Sequence, residues 1–237
     1  RARIEGATRD MHIYLANKRY SSWSMRPWLV LHAFEIPFTE KVIPLKRDDT
    51  RERIASVSPS GKLPCLIDRG VTMWESLAII DYVAETYPEK RIWPHQRPDR
   101  AIARAVSHEM HGGFLPLRQA LPMNLGKRFA TPALSDDAKA NIARIENIWR
   151  WARARFGLGG DFLFGAFTAA DAMYAPVVTR FDTYGIAVAD DTRAYMDTVL
   201  SHPSFVAWRQ AGLAEPWDIA EYEAGHAEIQ SFLPKRA

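Results

Sequence analysis

The feature that most constrains the fold is a change of hydrophobic pattern at a proline-rich stretch, residues 88–99 (PEKRIWPHQRPD). Before this stretch, short apolar runs of strand length alternate with helical periods and predict the order βαβαββα. After it, the periodic segments all have helical spacing. The sequence therefore predicts a small α/β domain at residues 11–88, a linker at 89–99 and an all-helical domain at 100–237, with residues 1–10 as an upstream extension.

The helices are predicted from apolar residues that recur with helical spacing. In the α/β domain they cover residues 24–34, with Pro27 in the first turn, and residues 75–87, and a short, polar, weakly helical segment covers residues 48–56. In the helical domain they cover residues 100–121, with a bend at Gly112 and Gly113, and then residues 135–156, 168–184, 191–200 and 203–211. Thr168 and Asp171 match a capping box, which predicts a role in folding and none in catalysis.

Composition and charge exclude several classes of function. Hydrophobic residues make up 47% of the chain and charged residues 25%, and no window approaches the ~18 unbroken apolar residues that span a bilayer. The net charge is only +3, with Lys and Arg interleaved with acids, which disfavours nucleic-acid binding. Cys65 is the only cysteine, so we expect a reducing, cytoplasmic location and a buried small hydrophobe at that position. His108 and His111 lack a third ligand at metal spacing, so no metal site is predicted.

The most specific motif is SPSGKLPCLID followed by GVTMWES. Pro64 directly precedes a predicted strand, a position where cis X-Pro bonds occur in tight entries. If the bond is cis, Leu63 presents its backbone N–H and C=O outward and can pair with an extended peptide ligand as an added strand. The alternative is an edge-strand proline without a functional role.

Glu75 and Ser76 open a helix immediately after a strand. The first N–H groups of a helix attract an anion, Ser76 adds a hydroxyl, and Glu75 supplies a negative charge. One carboxylate and one ammonium placed together, as in the head of an α-amino acid, would be satisfied here. The alternative is ordinary helix capping.

These segments resemble the cytosolic glutathione transferase family. The resemblance rests on the βαβαββα order, on SPSGKLPCL and ESLAIIDYV, and on the proline-rich connector before a helical domain, and it extends from Met11 to about Gly212. The turn SSWSMR is similar to the SSCxxR turn of the zeta class and to the serine turn of the tau class. The resemblance implies a thioredoxin-like first domain, glutathione as co-substrate, a homodimer, and no metal, redox cofactor or prosthetic group.

The resemblance also implies roles for individual residues. The glutathione site would consist of Trp23, Lys62, Leu63, Pro64, Glu75 and Ser76. Within it, Leu63 would pair with the cysteinyl unit, Glu75 and Ser76 would hold the γ-glutamyl head, and Lys62 would lie near the glycyl end. Candidate walls of the pocket for the electrophile are Met110, His111 and Phe114.

The serine turn is predicted to stabilise the glutathione thiolate. A thiol with a pKa near 8.5 is only about 3% ionised at pH 7, and lowering that pKa by two units needs about 2.7 kcal/mol. One hydroxyl hydrogen bond to the anion contributes roughly 1.5–3 kcal/mol, and a helix N-terminus adds up to ~1 kcal/mol. Ser21 matches the serine that the family uses and Ser22 is its neighbouring competitor, whereas Ser24 is predicted to be the N-cap of the following helix.

The expected activity is that of a glutathione transferase acting on a small hydrophobic electrophile, in a detoxification role. One alternative is a glutathione-dependent isomerase of the maleylacetoacetate type, although Trp23 stands where the zeta class has cysteine. Another is a non-catalytic glutathione-binding module. The turn has no Cys-x-x-Cys dithiol, so disulfide exchange is not expected.

Overall fold

The computed structural model describes residues 11–223 and 225–234. The extension expected at residues 1–10 lies outside these ranges. The first part of the chain has the predicted βαβαββα order. Its elements are β1 (His12–Leu15), α1 (Ser22–Ala33), β2 (Thr39–Val42), α2 (Thr50–Ala55), β3 (Cys65–Asp68), β4 (Val71–Trp74) and α3 (Ser76–Thr86).

The sheet of the first domain has the strand order β2-β1-β3-β4. Strand β1 runs parallel to β2 and antiparallel to β3, and β3 is antiparallel to β4. Because β3 is an interior strand, the edge-strand explanation of Pro64 does not apply. The Leu63–Pro64 peptide bond is cis, which is the condition under which we expected Leu63 to present its backbone N–H and C=O to a ligand.

The second part of the chain is mainly helical, as predicted. Its helices are α4 (Arg97–Gly112), α5 (Leu115–Ala120), α6 (Asp136–Phe156), α7 (Ala169–Thr183), α8 (Asp190–Ser201), α9 (Pro203–Ala214) and α10 (Ala220–Glu223). Helix α4 begins inside the predicted linker, after a short 3₁₀ helix at Pro88–Lys90. The predicted bend is a full break between α4 and α5, where Gly113 has an extended backbone.

The prediction that no strand follows the linker was wrong. Strands β5 (Lys127–Phe129) and β6 (Glu228–Ser231) form an antiparallel pair. Strand β5 has three residues and β6 is exposed along its whole length, so neither shows the alternation that marks a half-buried strand. The pairing depends on distant partners such as Lys127, whose ammonium lies 2.8 Å from carboxylate oxygens of both Glu223 and Glu228.

Helix α7 is the central helix of the molecule. Every one of its residues except Asp182 is buried, and it packs against both α1 and α4. The buried Arg26 of α1 donates from Nε to the carbonyl of Met173 on α7 at 3.0 Å. A single hydrophobic cluster therefore extends through both domains, with a guanidinium-to-carbonyl bond across their boundary.

The capping box at the start of α7 is present as predicted. The fully buried carboxylate of Asp171 accepts hydrogen bonds from Thr168 N (2.9 Å), Leu163 N (3.1 Å) and Tyr195 Oη (3.0 Å). Burial raises the pKa of Asp171 to about 6, although these donors act to lower it. The carboxylate is therefore a structural acceptor that joins α7 to the preceding loop and to α8.

We predict that Asp171→Ala lowers the free energy of unfolding by about 3–5 kcal/mol, because it leaves several buried donors without an acceptor. The control is Asp182→Ala on the same helix. The pairs of Asp182 with Arg128 and Arg193 lie near the surface. Asp182→Ala should therefore lower the free energy of unfolding by about 1 kcal/mol or less. Urea denaturation of both variants measures the difference. Similar losses in the two variants would contradict the role assigned to Asp171.

Candidate functional site

The turn between β1 and α1 is closed by two serines. Helix α1 begins at Ser22, and Ser21 is its N-cap, with Oγ accepting from the backbone N–H of Ser24 at 3.2 Å. The prediction of Ser24 as the N-cap was therefore wrong. Ser24 is the third helical residue, where its amide is the donor that an N-cap side chain receives. Its buried hydroxyl oxygen accepts from the backbone N–H of Ala16 at 3.0 Å.

The two hydroxyl groups of this turn form a chain. Ser21 Oγ donates to Ser24 Oγ at 2.9 Å, and Ser24 Oγ also accepts from the Ala16 N–H. The Ser21 hydrogen therefore points at Ser24. Because a hydroxyl hydrogen rotates to suit its partners, it can turn towards an anion in the cleft.

Ser22 lies beside an arginine. Its side chain is only 8% exposed, and Oγ accepts from Nη2 of Arg180 at 3.4 Å. Ser21 and Ser22 both line a cleft of about 480 Å³ that also includes residues of α5 and α7. Both serines can therefore face a reactant in this cleft.

The six residues predicted to bind glutathione lie together. They line a second depression of about 150 Å³, together with Ser60; the predicted residues are Trp23, Lys62, Leu63, Pro64, Glu75 and Ser76. Trp23, Lys62 and Leu63 also line the larger cleft. The two cavities are therefore adjacent and share one wall. We call the smaller one the peptide depression and the larger one the serine cleft.

Glu75 and Ser76 contribute differently to the peptide depression. Glu75 is the N-cap of α3 and has φ 69°, a value that non-glycine residues seldom adopt, and its side chain is half exposed. Ser76 is buried, and its hydroxyl donates to the carbonyl of Trp23 at 3.0 Å. The Ser76 hydroxyl, which was predicted to face the ligand, thus joins α3 to α1. A ligand can still bond to the lone pairs of Ser76 Oγ and to the free amides at the start of α3.

The structure places the predicted electrophile wall differently. Met110 is fully buried and Phe114 is 8% exposed, so both belong to the core. His111 contacts Trp23, with ring centroids 5.1 Å apart, and its Nε2 lies 3.5 Å from Glu75 Oε2. The helical-domain side of the serine cleft consists instead of residues from α5, the segment after it, α7 and α10; these are Leu115, Arg118, Gln119, Pro122, Met123, Arg180 and Tyr222.

The reason lies in the helix break. Phe114 has φ 60°, in the left-handed region, and α5 starts after it with a new rotational phase. The residues that face the cleft therefore do not continue the α4 pattern. Arg180 could have been identified from the sequence. It is a lone cation in the apolar stretch AMYAPVVTRF, and a lone cation is unusual in a buried helix.

Three other predictions concerned Cys65, possible metal ligands and possible membrane-spanning helices. Cys65 is fully buried, as predicted, and burial raises the pKa of its thiol. Within residues 11–223 and 225–234, no three His, Cys, Asp or Glu side chains are grouped closely enough to hold a metal ion. Over the same ranges, no helix is both long and apolar enough to cross a membrane.

Comparison with known families agrees with this geometry. The family model described as "Glutathione S-transferase, N-terminal domain" matches residues 20–86, and "Glutathione S-transferase, C-terminal domain" matches residues 132–211. The two matches together cover more than half of the 237 residues. The chain belongs to the glutathione transferase family. Its thioredoxin-like first domain and helical second domain are those of glutathione transferases.

Individual relatives have low sequence identity to this chain, but their matches cover most of its length. The chain is 24% identical over 197 residues to a probable maleylacetoacetate isomerase of Caenorhabditis elegans, a match covering 79% of this chain and 88% of that protein. It is 24% identical over 171 residues to maleylacetoacetate isomerase of Rattus norvegicus, covering 70% and 75%. A glutathione transferase homologue from Burkholderia GL BGR1, solved with bound glutathione, has a TM-score of 0.65 and 21% identity, covering 86% of this chain and 98% of that one.

A titration of His111 tests the geometry of this site without any ligand. Burial lowers the pKa of His111, Arg26 lowers it further, and the Glu75 carboxylate raises it. We predict that Glu75→Gln lowers the His111 pKa below its value in the parent protein, because the favourable charge is lost. The measurement is an NMR titration of the imidazole signals.

The matched control is Glu109→Gln on α4. Its carboxylate pairs with Arg144 at 2.8 Å, and it should leave the His111 pKa unchanged. A His111 pKa that stays constant or rises in Glu75→Gln would show that the two side chains do not meet across the domain boundary.

Proposed function

We propose that this protein binds glutathione in the peptide depression and ionises its thiol at the serine cleft. The observation that carries the proposal is the shared wall of the two cavities. A peptide extended along Leu63 in the first cavity would present its cysteinyl side chain to Ser21 and Ser22 in the second. Glu75 and Lys62 offer charges opposite to those of the ammonium and carboxylate groups of glutathione, as the family resemblance implies.

The thiolate is assigned to Ser21. The Ser21 hydroxyl, which donates to Ser24 Oγ, would turn its hydrogen to the bound sulfur, and the N-terminus of α1 adds a favourable dipole. Together these supply the ~2.7 kcal/mol that lowers a thiol pKa by two units. Ser22 is the competing donor, because its hydroxyl hydrogen is not used in the contact with Arg180.

The reaction proposed is transfer of an alkyl or aryl group to the glutathione sulfur. The thiolate attacks an electrophilic carbon held in the serine cleft, a carbon–sulfur bond forms, and the leaving group departs with its electron pair. Holding both reactants in adjoining cavities supplies proximity, and the serine supplies ionisation. Neither step requires a prosthetic group.

A second candidate is glutathione-dependent isomerisation, which the maleylacetoacetate isomerases among the relatives favour. The thiolate would add to a conjugated double bond, the resulting single bond would rotate, and elimination would restore the double bond and the thiolate. Glutathione is then not consumed, so its concentration before and after turnover separates the two activities. Trp23 in place of the zeta-class cysteine leads us to favour transfer.

A homodimer and a cytoplasmic location are also proposed. Both rest on resemblance to the family, and the single cysteine supports the second. The dimer would pack the first domain of one subunit against the helical domain of the other.

Two substitutions should each change a different property of bound glutathione. Ser21→Ala should raise the pKa of bound glutathione by one to two units, roughly the contribution of one hydrogen bond to an anion, with little change in affinity. Glu75→Gln should weaken glutathione binding by about 1.5–3 kcal/mol and leave the thiol pKa unchanged, because its charge meets the amino-acid head. Ultraviolet absorbance of the thiolate against pH and isothermal calorimetry measure the two quantities.

Ser22→Ala is the matched control for Ser21→Ala. A shift of the thiol pKa in Ser22→Ala alone would move the role to Ser22. A shift in neither variant would assign it to the backbone N–H groups at the start of α1. Unchanged affinity in a folded Glu75→Gln protein would contradict the assignment of the peptide depression.

A further inference from the structure

Three arginines lie near one another at the serine cleft: Arg26 on α1, Arg118 on α5 and Arg180 on α7. Arg26 bonds the carbonyls of Met173 and Ser22. Arg118 bonds two carbonyls at the end of α4, and Arg180 bonds two carbonyls and the Ser22 hydroxyl. Throughout the described part of the chain, none of the three meets a carboxylate.

Among the described residues, no carboxylate balances these positive charges in this desolvated place, and the guanidinium groups of Arg26 and Arg118 each lie 4.7 Å from the ring centroid of Trp23. Burial lowers the pKa of Arg180 to about 10, and the charge of Arg118 lowers it too. The pKa of Arg26 is lowered by burial and by the charges of Arg180 and Arg118. Buried charges in proteins are ordinarily paired, so the cluster has the charge pattern of a site for an anion.

Among the three arginines, a purely structural role accounts for Arg26. Arg26 is fully buried and joins the two domains. A guanidinium has five N–H donors, of which Arg180 uses three and Arg118 two in the described contacts. Both line the cleft, Arg118 half-buried and Arg180 5% exposed. These two side chains therefore keep donors available at the cleft wall.

The rest of the cleft matches an acidic molecule with an apolar body. Its described lining has three cations, Lys62, Arg118 and Arg180, and contains no Asp or Glu. Apolar side chains of Leu115 and Met123 line the same cavity. Lys62 belongs to the peptide depression as well, so the two arginines are the cations specific to the serine cleft.

We propose that the electrophile accepted by this protein carries a carboxylate, which Arg118 and Arg180 bind while its apolar part lies against Leu115 and Met123. The inference rests on the proposed function and narrows its substrate class from hydrophobic electrophiles in general to acidic ones. Ser22 accepts a hydrogen bond from Arg180, so a carboxylate on this arginine lies near the thiol-activating turn. Planar guanidinium groups bind carboxylates with two parallel hydrogen bonds, more strongly where water is excluded.

The test uses two ligands that differ in one charge, S-(4-carboxybenzyl)glutathione and S-(4-carbamoylbenzyl)glutathione. The acid should bind the parent protein at least tenfold more tightly than the amide in calorimetry. In Arg180→Met and Arg118→Met, which keep an apolar side chain of similar length, the ratio should fall towards one. The control is Arg153→Met on α6, whose guanidinium bonds the Asp191 carbonyl outside the cleft, and it should keep the full ratio.

A second pair, 4-methylbenzoate and 4-methylbenzamide, tests the arginines without glutathione by ligand-observed NMR. Failure of both glutathione conjugates to bind overturns the proposed function, and the methylbenzoate pair then decides the arginine site alone. Equal affinity for acid and amide in the parent protein overturns the inference while leaving glutathione binding intact. A tenfold preference that persists in both Met variants also overturns it. If Arg180→Met does not fold, Arg118→Met gives the same decision.

Discussion

The structure of the site depends on the hydrogen bonds that fix the junction of β1 and α1. The Ala16 N–H at the end of the strand is bound by the buried Ser24 hydroxyl, and Ser21 caps the helix from the other side. The strand therefore leads into the helix at one defined angle. That angle sets where Ser21, Ser22 and Trp23 lie, and it directs Arg26, one turn later, at the carbonyl of Met173 on α7.

The loop before this junction is held by the C-terminal part of the chain. Glu215 accepts from the backbone N–H of Lys18 at 2.9 Å, and its carbonyl accepts from Arg19 Nη2 at 2.6 Å. Tyr20 donates to Glu223 at 2.6 Å. Tyr20 and Tyr222 line the serine cleft. The serine turn is thus held within the first domain by the bond between the Ala16 N–H and the Ser24 hydroxyl, and by the C-terminal part of the chain through Glu215 and Glu223. The serine cleft lies where these two sets of contacts meet.

Local signals in the sequence predicted most of the fold and the peptide depression, whereas long-range placement was missed. The Leu63–Pro64 strand entry and the Glu75 helix start are recognisable because each depends on residues a few positions apart. The walls of the serine cleft are not, because the left-handed Phe114 resets the helical phase before Arg118. The N-cap of α1 was predicted one turn too late, because both Ser21 and Ser24 fit an N-cap locally. The hydrogen bond from the Ala16 N–H, which engages the Ser24 hydroxyl, decides between them.

The central claim is that a glutathione molecule in the peptide depression delivers its sulfur to Ser21. The most direct measurement is a high-resolution crystal structure of the protein with glutathione bound. The account predicts backbone pairing between Leu63 and the cysteinyl unit, the γ-glutamyl head at Glu75 and Ser76, and the sulfur within hydrogen-bonding distance of Ser21 Oγ. A tripeptide bound elsewhere, or a sulfur directed away from both Ser21 and Ser22, would contradict it.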